Sequence, residues 1–500
     1  MRKKLKRVYE KASVFHDKHE NIIMIVLLIL IACAYSFHYK FMPYDYLWNF
    51  GNIYKLSLGY KIYEDVAIII TPLMFFIGEF IFKTFGANYF IYNVFNVLIE
   101  ISYYICFFFI LKKLIKSTKL RDLCLISLTL AIGDTFGNNG PNYIPFSAIF
   151  IMLILISFLY SKNKKTCRLV NGILSALAFL AYQKAGAVAV LIVIIYELVT
   201  KDTKKIGEKL KYLFIIGTSM LLILGIFIAY LALSNNIYSF LNIAILGMSE
   251  FSDNLASWWG SIFKISLFGL LTISYFILLK KFKKMDEKLR LLFIASLTSI
   301  LYIYPIFNEY HIFIWITFDI LFIIYSINVT FDEIELISIK QEAIVILLIS
   351  MICFYIFALG IVNMFKYPFY KTNYQDKYFG STISIEQSQQ IKEINDYIER
   401  NKGEYDNIII FSSYALLYNN TYENNNRFFD VPNKGNFGKD GEQGLINSIS
   451  KMKNTLMLVQ NEDSRYEVYQ FPKNVRKFIQ DNYECIDNLQ NYDIYEINNK

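Results

Sequence analysis

Charge is in short supply in this chain: only 18% of its residues are charged, against 55% hydrophobic, and repeated apolar runs of spanning length have nowhere to go in water. An ordinary soluble protein is excluded. Cysteine is equally uninformative as a scaffold. Of the six, Cys33, Cys106 and Cys353 lie in apolar runs, Cys124 starts one, Cys167 lies in a basic loop and Cys485 stands alone near the end. Neither a disulfide framework nor metal-ligand spacing is visible, so no metal site is expected. No small-residue cleavage site follows the apolar run Ile22 to Tyr35, so the basic N-terminus is expected to lead into an uncleaved anchor. No solenoid-type repeat and no low-complexity linker interrupts the chain. Nucleic acid is not an expected partner, because the formal charge of +8 is scattered in short clusters between apolar runs rather than gathered on one face.

What is present is a bilayer pattern. Runs rich in Ile, Leu and Phe, such as Tyr212 to Leu233 and Ala343 to Met364, are bordered by Lys or polar clusters. Lys and Arg in short loops are retained on the cytoplasmic side. Residues 1–20 carry seven, 112–121 five, 162–168 four, 201–211 five and 280–290 six, which makes 27 on one side. The alternate loops near 134–143, 234–260 and 306–310 carry none, and are expected to face outward. The apolar segment 65–85 would reverse everything after it if it spanned, placing 20 of the 27 cations outside. It is interrupted by Thr71-Pro72 and carries Glu79 and Lys83, so it is read as a helix lying at, or dipping into, the outer interface.

Eleven spans then fall near 21–38, 89–111, 122–133, 144–160, 168–182, 185–200, 212–233, 261–279, 290–305, 311–328 and 342–364. The expected organisation is a cytoplasmic basic tail 1–20, a polytopic α-helical membrane domain 21–365 with an extracytoplasmic first loop 39–88, and an extracytoplasmic domain 366–500. After Lys366 the composition shifts to Asn, Tyr, Asp, Glu and Lys. Helical spacing over 385–400 and 473–480, with strand-like runs at 407–411, 455–459 and 492–497, predicts a soluble α/β domain. Heavy use of Lys, Asn, Ile and Tyr points to an AT-rich bacterial genome, and so to a bacterial plasma membrane.

The first outer segment is long, polar and aromatic: Tyr44-Asp45-Tyr46-Leu47-Trp48-Asn49, then Gly59-Tyr60-Lys61-Ile62-Tyr63-Glu64-Asp65, then Thr71-Pro72-Leu73. Asp45 stands just after a membrane helix, where a lipid-borne donor and an acceptor can meet. A sugar linked through phosphate already has a good leaving group. Its transfer mainly needs a carboxylate to take the acceptor proton and cations to hold the phosphate. On spacing alone, Asp45 is equally a cap for a helix Tyr46 to Leu58.

The order of an aspartate after the first helix, the Gly59 to Glu64 step, the Pro72-Leu73 start of an apolar segment and a closing Phe85-Gly86 resembles the GT-C glycosyltransferases. The likeness is to the bacterial relatives of protein O-mannosyltransferases and lipid A aminoarabinose transferases, and it covers residues 20–370 by arrangement. It implies a GT-C-like fold, a first loop of juxtamembrane helices that supplies the catalytic carboxylate, here Asp45, and a segment 71–86 lying along the membrane. Many relatives carry a second acid directly after the aspartate, where this chain has Tyr46, so a metal-binding pair is not implied and no cofactor is indicated.

Ala181-Tyr182-Gln183-Lys184-Ala185-Gly186 resembles the family's small-residue turn with a lysine, and implies a role for Lys184 on the donor phosphate; a snorkelling lysine is the plainer reading. Tyr304 to His311 is placed like an outer turn in relatives that carries a histidine into the next helix. His311 and Glu309, with Lys83, are therefore candidates to bind donor phosphate or sugar, and Tyr44, Glu64, Asp65, Asp134, Asn142 and Tyr143 are candidates to line the cavity. His311 satisfied by neighbouring backbone, and an ordinary turn at 133–143, are the bland alternatives. Glu100 and Asp319 fall inside spans, where charge is costly and is expected to be paired or to face a cavity. Trp258-Trp259 fits an interfacial aromatic belt or a cover for an isoprenoid chain.

The expected function is transfer of a sugar from a polyprenyl-phosphate donor to an envelope polysaccharide, lipid or protein, with inversion. A transporter or flippase of lipid-linked saccharides should show paired repeats or broken helices; no matching halves are visible, and a 135-residue outer domain is less natural for a carrier. A non-catalytic envelope assembly or sensor protein would not need eleven spans for anchoring. The topology is testable by accessibility: in cells expressing the chain with its six native cysteines replaced and Lys116→Cys or Asp440→Cys added, a membrane-impermeant thiol reagent is expected to label only position 440, and labelling of both from outside would exclude eleven spans.

Overall fold

In the computed structural model of the chain the residues described are 2–37, 44–136, 140–201, 205–247, 285–303, 309–330, 378–381, 385–412, 440–461 and 472–497, with isolated positions in 266–279 and at 415 and 418. The span expected at 342–364 and Trp258-Trp259 lie outside them, and only isolated positions of the span at 261–279 lie inside.

The chain opens with α1 (Arg2–Phe37), whose basic first half continues into an apolar second half. Two short helices follow, α2 (Tyr44–Ser57) and α3 (Leu73–Phe85). Then come α4 (Tyr89–Leu114), α5 (Thr118–Phe136), α6 (Tyr143–Tyr160), α7 (Lys164–Ala181), α8 (Gln183–Val199) and α9 (Ile206–Leu233). A short α10 (Ile237–Phe240) runs on as a π turn, Leu241–Leu246, and α11 (Glu287–Ser299) and α12 (Glu309–Thr330) complete the described helices of this region. Among the described residues, 18–37, α4, α6 and α9 are long and apolar enough to cross a bilayer. Phe214, Leu221, Leu222 and Ile226 leave α9 with an exposed apolar face, which suits contact with lipid tails rather than water. By contrast α3, at 13 residues, is about 20 Å long, short of a hydrocarbon core of about 30 Å.

Several helices begin where a side chain replaces a missing intrahelical bond. Asn88 accepts from the N–H of Ile91, Asn142 from Ile144, Asn163 from Thr166 and Asp286 from Leu289. These caps fix the points at which the chain re-enters the apolar layer.

The helices sort charge to one end of the bundle. Arg121 pairs with Glu20, and Lys112 donates to Asn21 at 2.6 Å. Lys288 reaches the carbonyl of Lys113 at 3.1 Å, and Glu287 accepts from Thr200 at 2.9 Å. Arg168 pairs with Glu197, at 2.7 Å, near the end of α8 that leads to Thr200. The five cationic clusters of the sequence thus meet at one end. At the other end Asn236 donates to the carbonyl of Ile62, Thr71 donates to the carbonyl of Phe179 at 2.6 Å, and Gln183 donates to the carbonyls of Ile69 and Ala244. The segment 378–381 attaches there too, since Phe90 donates its N–H to the carbonyl of Phe379 at 2.8 Å and Tyr378 stacks on Tyr89.

Beyond it, α13 (Ile385–Asn401), β1 (Asn407–Phe411), α14 (Gly441–Ile449), β2 (Thr455–Gln460), α15 (Lys473–Asn482), β3 (Glu484–Leu489) and β4 (Tyr492–Ile497) build a sheet of order β1-β2-β4-β3. β1 and β2 are parallel, while β4 runs antiparallel to both its neighbours. Strand alternation sends Ile408, Ile410, Leu456, Leu458 and Ile494 to the face that packs with Ile391, Ile394 and Ile398 of α13. Ile409, Phe411, Met457 and Val459 go to the other face, with Leu445 of α14 and Val475 and Ile479 of α15.

The crossing of α7 and α9 depends on Gly172, where a Cβ would collide with Ser219 Oγ and the backbone carbonyl of Ile216. A backbone neighbour has no rotamer to give. Gly172→Val is expected to lower stability by about 1–3 kcal/mol, visible as a lower melting temperature of the purified protein in detergent; an unchanged melt would mean the helices separate there without cost.

Candidate active site

The first loop supplies a buried helix, not a surface one. Tyr46, Leu47, Trp48, Phe50, Ile53 and Leu56 of α2 are all buried. The Tyr46 hydroxyl donates to Asn93 Oδ1 at 2.9 Å, and the Tyr92 hydroxyl donates back to the Tyr46 carbonyl at 3.0 Å. Phe50 stacks on Tyr89 with ring centres 3.9 Å apart. Gly140 has a left-handed φ of 67°, and a side chain there would press on the rings of Tyr46 and Tyr92. The loop before α6 therefore lies against the start of α2. Asp45 belongs to the first turn of this helix, one residue inside it rather than capping it from outside. A carboxylate in a first turn is favoured by the helix dipole. The side chains of Tyr44, Asp45, Asp134 and Glu309 lie outside the described residues.

An aromatic line leads from α2 across the same end. Trp48 meets Tyr143 at 6.4 Å between ring centres, Tyr143 meets Tyr182 at 5.1 Å, and Tyr182 meets Tyr302 at 5.9 Å. The Tyr302 hydroxyl shares a hydrogen bond with Ser147 at 3.2 Å. Lys184 extends beside this line, its Nζ 5.8 Å from the centre of the Tyr182 ring. That nitrogen is buried and has no hydrogen-bond partner among the described residues. His311, buried in the first turn of α12, lies close enough to feel the charge of Lys184. Asn142, fully buried, spends Oδ1 on the cap of α6 at 2.8 Å and leaves Nδ2 without a partner. The structure therefore brings Lys184, His311, Asn142 and Tyr143 to the end where α2 begins.

Other candidates stay apart from this group. Lys83 is exposed and pairs with Glu79 at 2.6 Å, one turn away on α3. Glu64 is exposed and pairs with Lys61 at 3.2 Å, while Asp65 accepts the backbone N–H of Lys61 at 2.9 Å. These acids shape the turn 61–66, in which Tyr63 takes a left-handed φ of 65° and donates its hydroxyl to the Ile70 carbonyl at 3.0 Å. Glu100 accepts from Ser36, Asn96 and Tyr104. Asp319 accepts from Thr272 and Ser296. Both intramembrane acids are thus met by hydroxyl or amide donors, which is how such a group is tolerated away from water.

The sequence reading passed over Asn49, Asn52 and Lys55, which are 0%, 4% and 3% exposed. Their three-residue spacing puts one polar stripe along α2, the signal that was available. Neither amide atom of Asn49, nor Nδ2 of Asn52, has a hydrogen-bond partner among the described residues.

No protein-family model and no curated protein sequence matches this chain. Among solved structures it is similar to the crystal structure of ArnT from Cupriavidus metallidurans bound to undecaprenyl phosphate, with a TM-score of 0.54 at 11% sequence identity. The match covers 96% of this chain and 98% of that one. At this identity the likeness is one of fold, and the fold is GT-C-like.

Burial pushes the Lys55 ammonium from its usual 10.5 down to about 7. The unfolded chain then binds the extra proton between these two values, so stability rises with pH across that window, and the cost of charging Lys55 is complete below it. Lys55→Met is expected to flatten the rise and to stabilise the protein near pH 6 by an amount on the order of 4 kcal/mol or less, read from melting temperatures at pH 6, 8 and 10. Parallel pH profiles would exclude a buried, depressed Lys55.

Proposed function

We propose that the chain is a membrane glycosyltransferase that moves a sugar from a polyprenyl-phosphate-linked donor to a cell-envelope polysaccharide, lipid or protein at the outer face of the bacterial plasma membrane. The observation that carries this reading is the buried Lys184 ammonium, without a hydrogen-bond partner among the described residues, beside His311 at the end where the Asp45 helix begins. The ArnT fold, in a protein whose structure holds undecaprenyl phosphate, supports it. A buried cation without a partner is unfavourable by itself and becomes favourable once an anion such as a lipid phosphate stands next to it.

The step follows from these groups. Asp45 takes the proton of an acceptor hydroxyl as its oxygen bonds to the anomeric carbon from the face opposite the phosphate. The bond between that carbon and the phosphate oxygen breaks, and its electron pair leaves on the polyprenyl phosphate. Lys184 stabilises the charge that develops there, with His311 on the phosphate or a sugar hydroxyl. A single displacement inverts the anomeric centre. The cationic end of the bundle faces the cytoplasm in this reading, so the site and residues 366–500 face outward.

The test is transfer by the purified protein in nanodiscs, from a series of polyprenyl-phosphate sugars to candidate envelope acceptors. Asp45→Asn keeps shape and removes the base, and is expected to lower kcat by about 10²–10⁴-fold. Lys184→Ala is expected to cost about 10²–10³-fold, with weaker donor binding. Undiminished turnover by Asp45→Asn would remove the base assignment, and donor movement across the bilayer without transfer would favour a flippase.

A further inference from the structure

Asn49, Asn52 and Asn142 are buried amides with atoms left unpartnered among the described residues. They come from two elements that meet. Asn49 follows Trp48 and Asn142 precedes Tyr143, and the rings of Trp48 and Tyr143 are in contact. Asn49 and Asn52 lie about 4.5 Å apart along the axis of α2, a span that one sugar ring bridges, and Asn49 is one turn beyond Asp45. A buried amide without a partner is costly, so an arrangement of this kind is stable in use only when a ligand completes it.

The chemistry of the open atoms selects the ligand. A phosphate offers acceptors alone and would leave Oδ1 of Asn49 unsatisfied. A sugar hydroxyl both donates and accepts, and so matches an amide that is open at Nδ2 and Oδ1 together. We infer that Asn49, Asn52 and Asn142 form the subsite that binds the hydroxyls of the donor's sugar ring, between the proposed base Asp45 and the phosphate cation Lys184. This inference rests on the glycosyltransferase reading and names residues and a ligand group that reading does not.

The experiment uses the full chain in nanodiscs and two probes that differ only in the sugar: undecaprenyl phosphate, and the same carrier bearing a hexose or a pentose. Wild type is expected to bind one of the sugar-bearing carriers more tightly than the bare one. Asn49→Leu, close in size but without hydrogen-bonding atoms, is expected to weaken that binding about tenfold and to leave bare-carrier binding unchanged. Asn52→Leu should act in the same direction. Asn49→Ala gives the same reading if the leucine variant does not accumulate. Because neither Asn49 amide atom has a partner among the described residues, the Asn49→Leu variant measured without added carrier is also expected to melt at or above the wild-type temperature.

A lower melting temperature, or unaltered binding of the sugar-bearing carrier, would overturn the subsite. Equal wild-type affinity for bare and sugar-bearing carriers would overturn it too, while leaving the lipid-phosphate reading intact. Failure of wild type to bind any carrier would overturn both.

Discussion

A hydrocarbon layer does not accept unpaired charge, and that one constraint arranges the rest of this molecule. It drives the cationic clusters of the N-terminal tail and four loops to a common end, where Glu20, Glu197 and Glu287 partly neutralise them. At the opposite end the described cations of the first outer segment and of α3 include Lys61 and Lys83, which are exposed and paired locally with Glu64 and Glu79. Lys184 sits at that end beside the ring of Tyr182, with no carboxylate paired to it among the described residues. Among the described residues its charge is not matched by an ion pair of the kind that holds the cations at the other end.

The contacts between elements at the site end, among the described residues, are aromatic packing and hydrogen bonds, many of them to backbone carbonyls. Tyr46, Tyr89, Tyr92 and Phe50 lock α2 onto the first turns of α4, and Gln183 ties the α7–α8 joint to Ile69 and Ala244. Aromatic pairs add rigidity without introducing formal charge. A carboxylate carried on the first turn of α2 is consequently attached to a body that cannot shift without breaking several ring contacts. The proposed transfer would draw on such fixed placement of base and anion.

Much of this was legible in the sequence, for a physical reason. Apolar run length and Lys/Arg segregation are strong signals, so the helices at 18–37, 89–114, 143–160 and 206–233 stand where the runs predict them. The strands at 407–411 and 455–460 were legible because they are buried on both faces and read as continuous Ile, Leu, Met and Val. β3, Glu484–Leu489, escaped because it is an exposed edge strand of polar residues, and α14 escaped because nine residues carry too few turns to establish a period. The stripe of Asn49, Asn52 and Lys55 was visible as spacing, but its burial was not, since an amphipathic helix on a membrane surface has the same pattern. Lys83 illustrates the converse: a lysine in the right segment is paired with Glu79 on the exposed side of α3, and no sequence rule says which face of a short apolar helix will turn outward.

The α7–α8 pair carries two cations in contrasting settings. Arg168, at one end, is held by Glu197 at 2.7 Å and covered by the rings of Tyr212 and Phe158. Removing one partner from a pair of this kind costs about 3–5 kcal/mol, because the other charge stays buried without compensation. Lys184, at the opposite end of the same pair, has no such partner among the described residues, where the face of Tyr182 is the aromatic contact beside it. Cation–π contact returns about 1–2 kcal/mol, less than the loss. In the proposed reading this contrast is what the site uses: an anion arriving beside Lys184 gains what the protein forgoes there, and a lipid-borne phosphate is the anion able to reach this depth from within the bilayer.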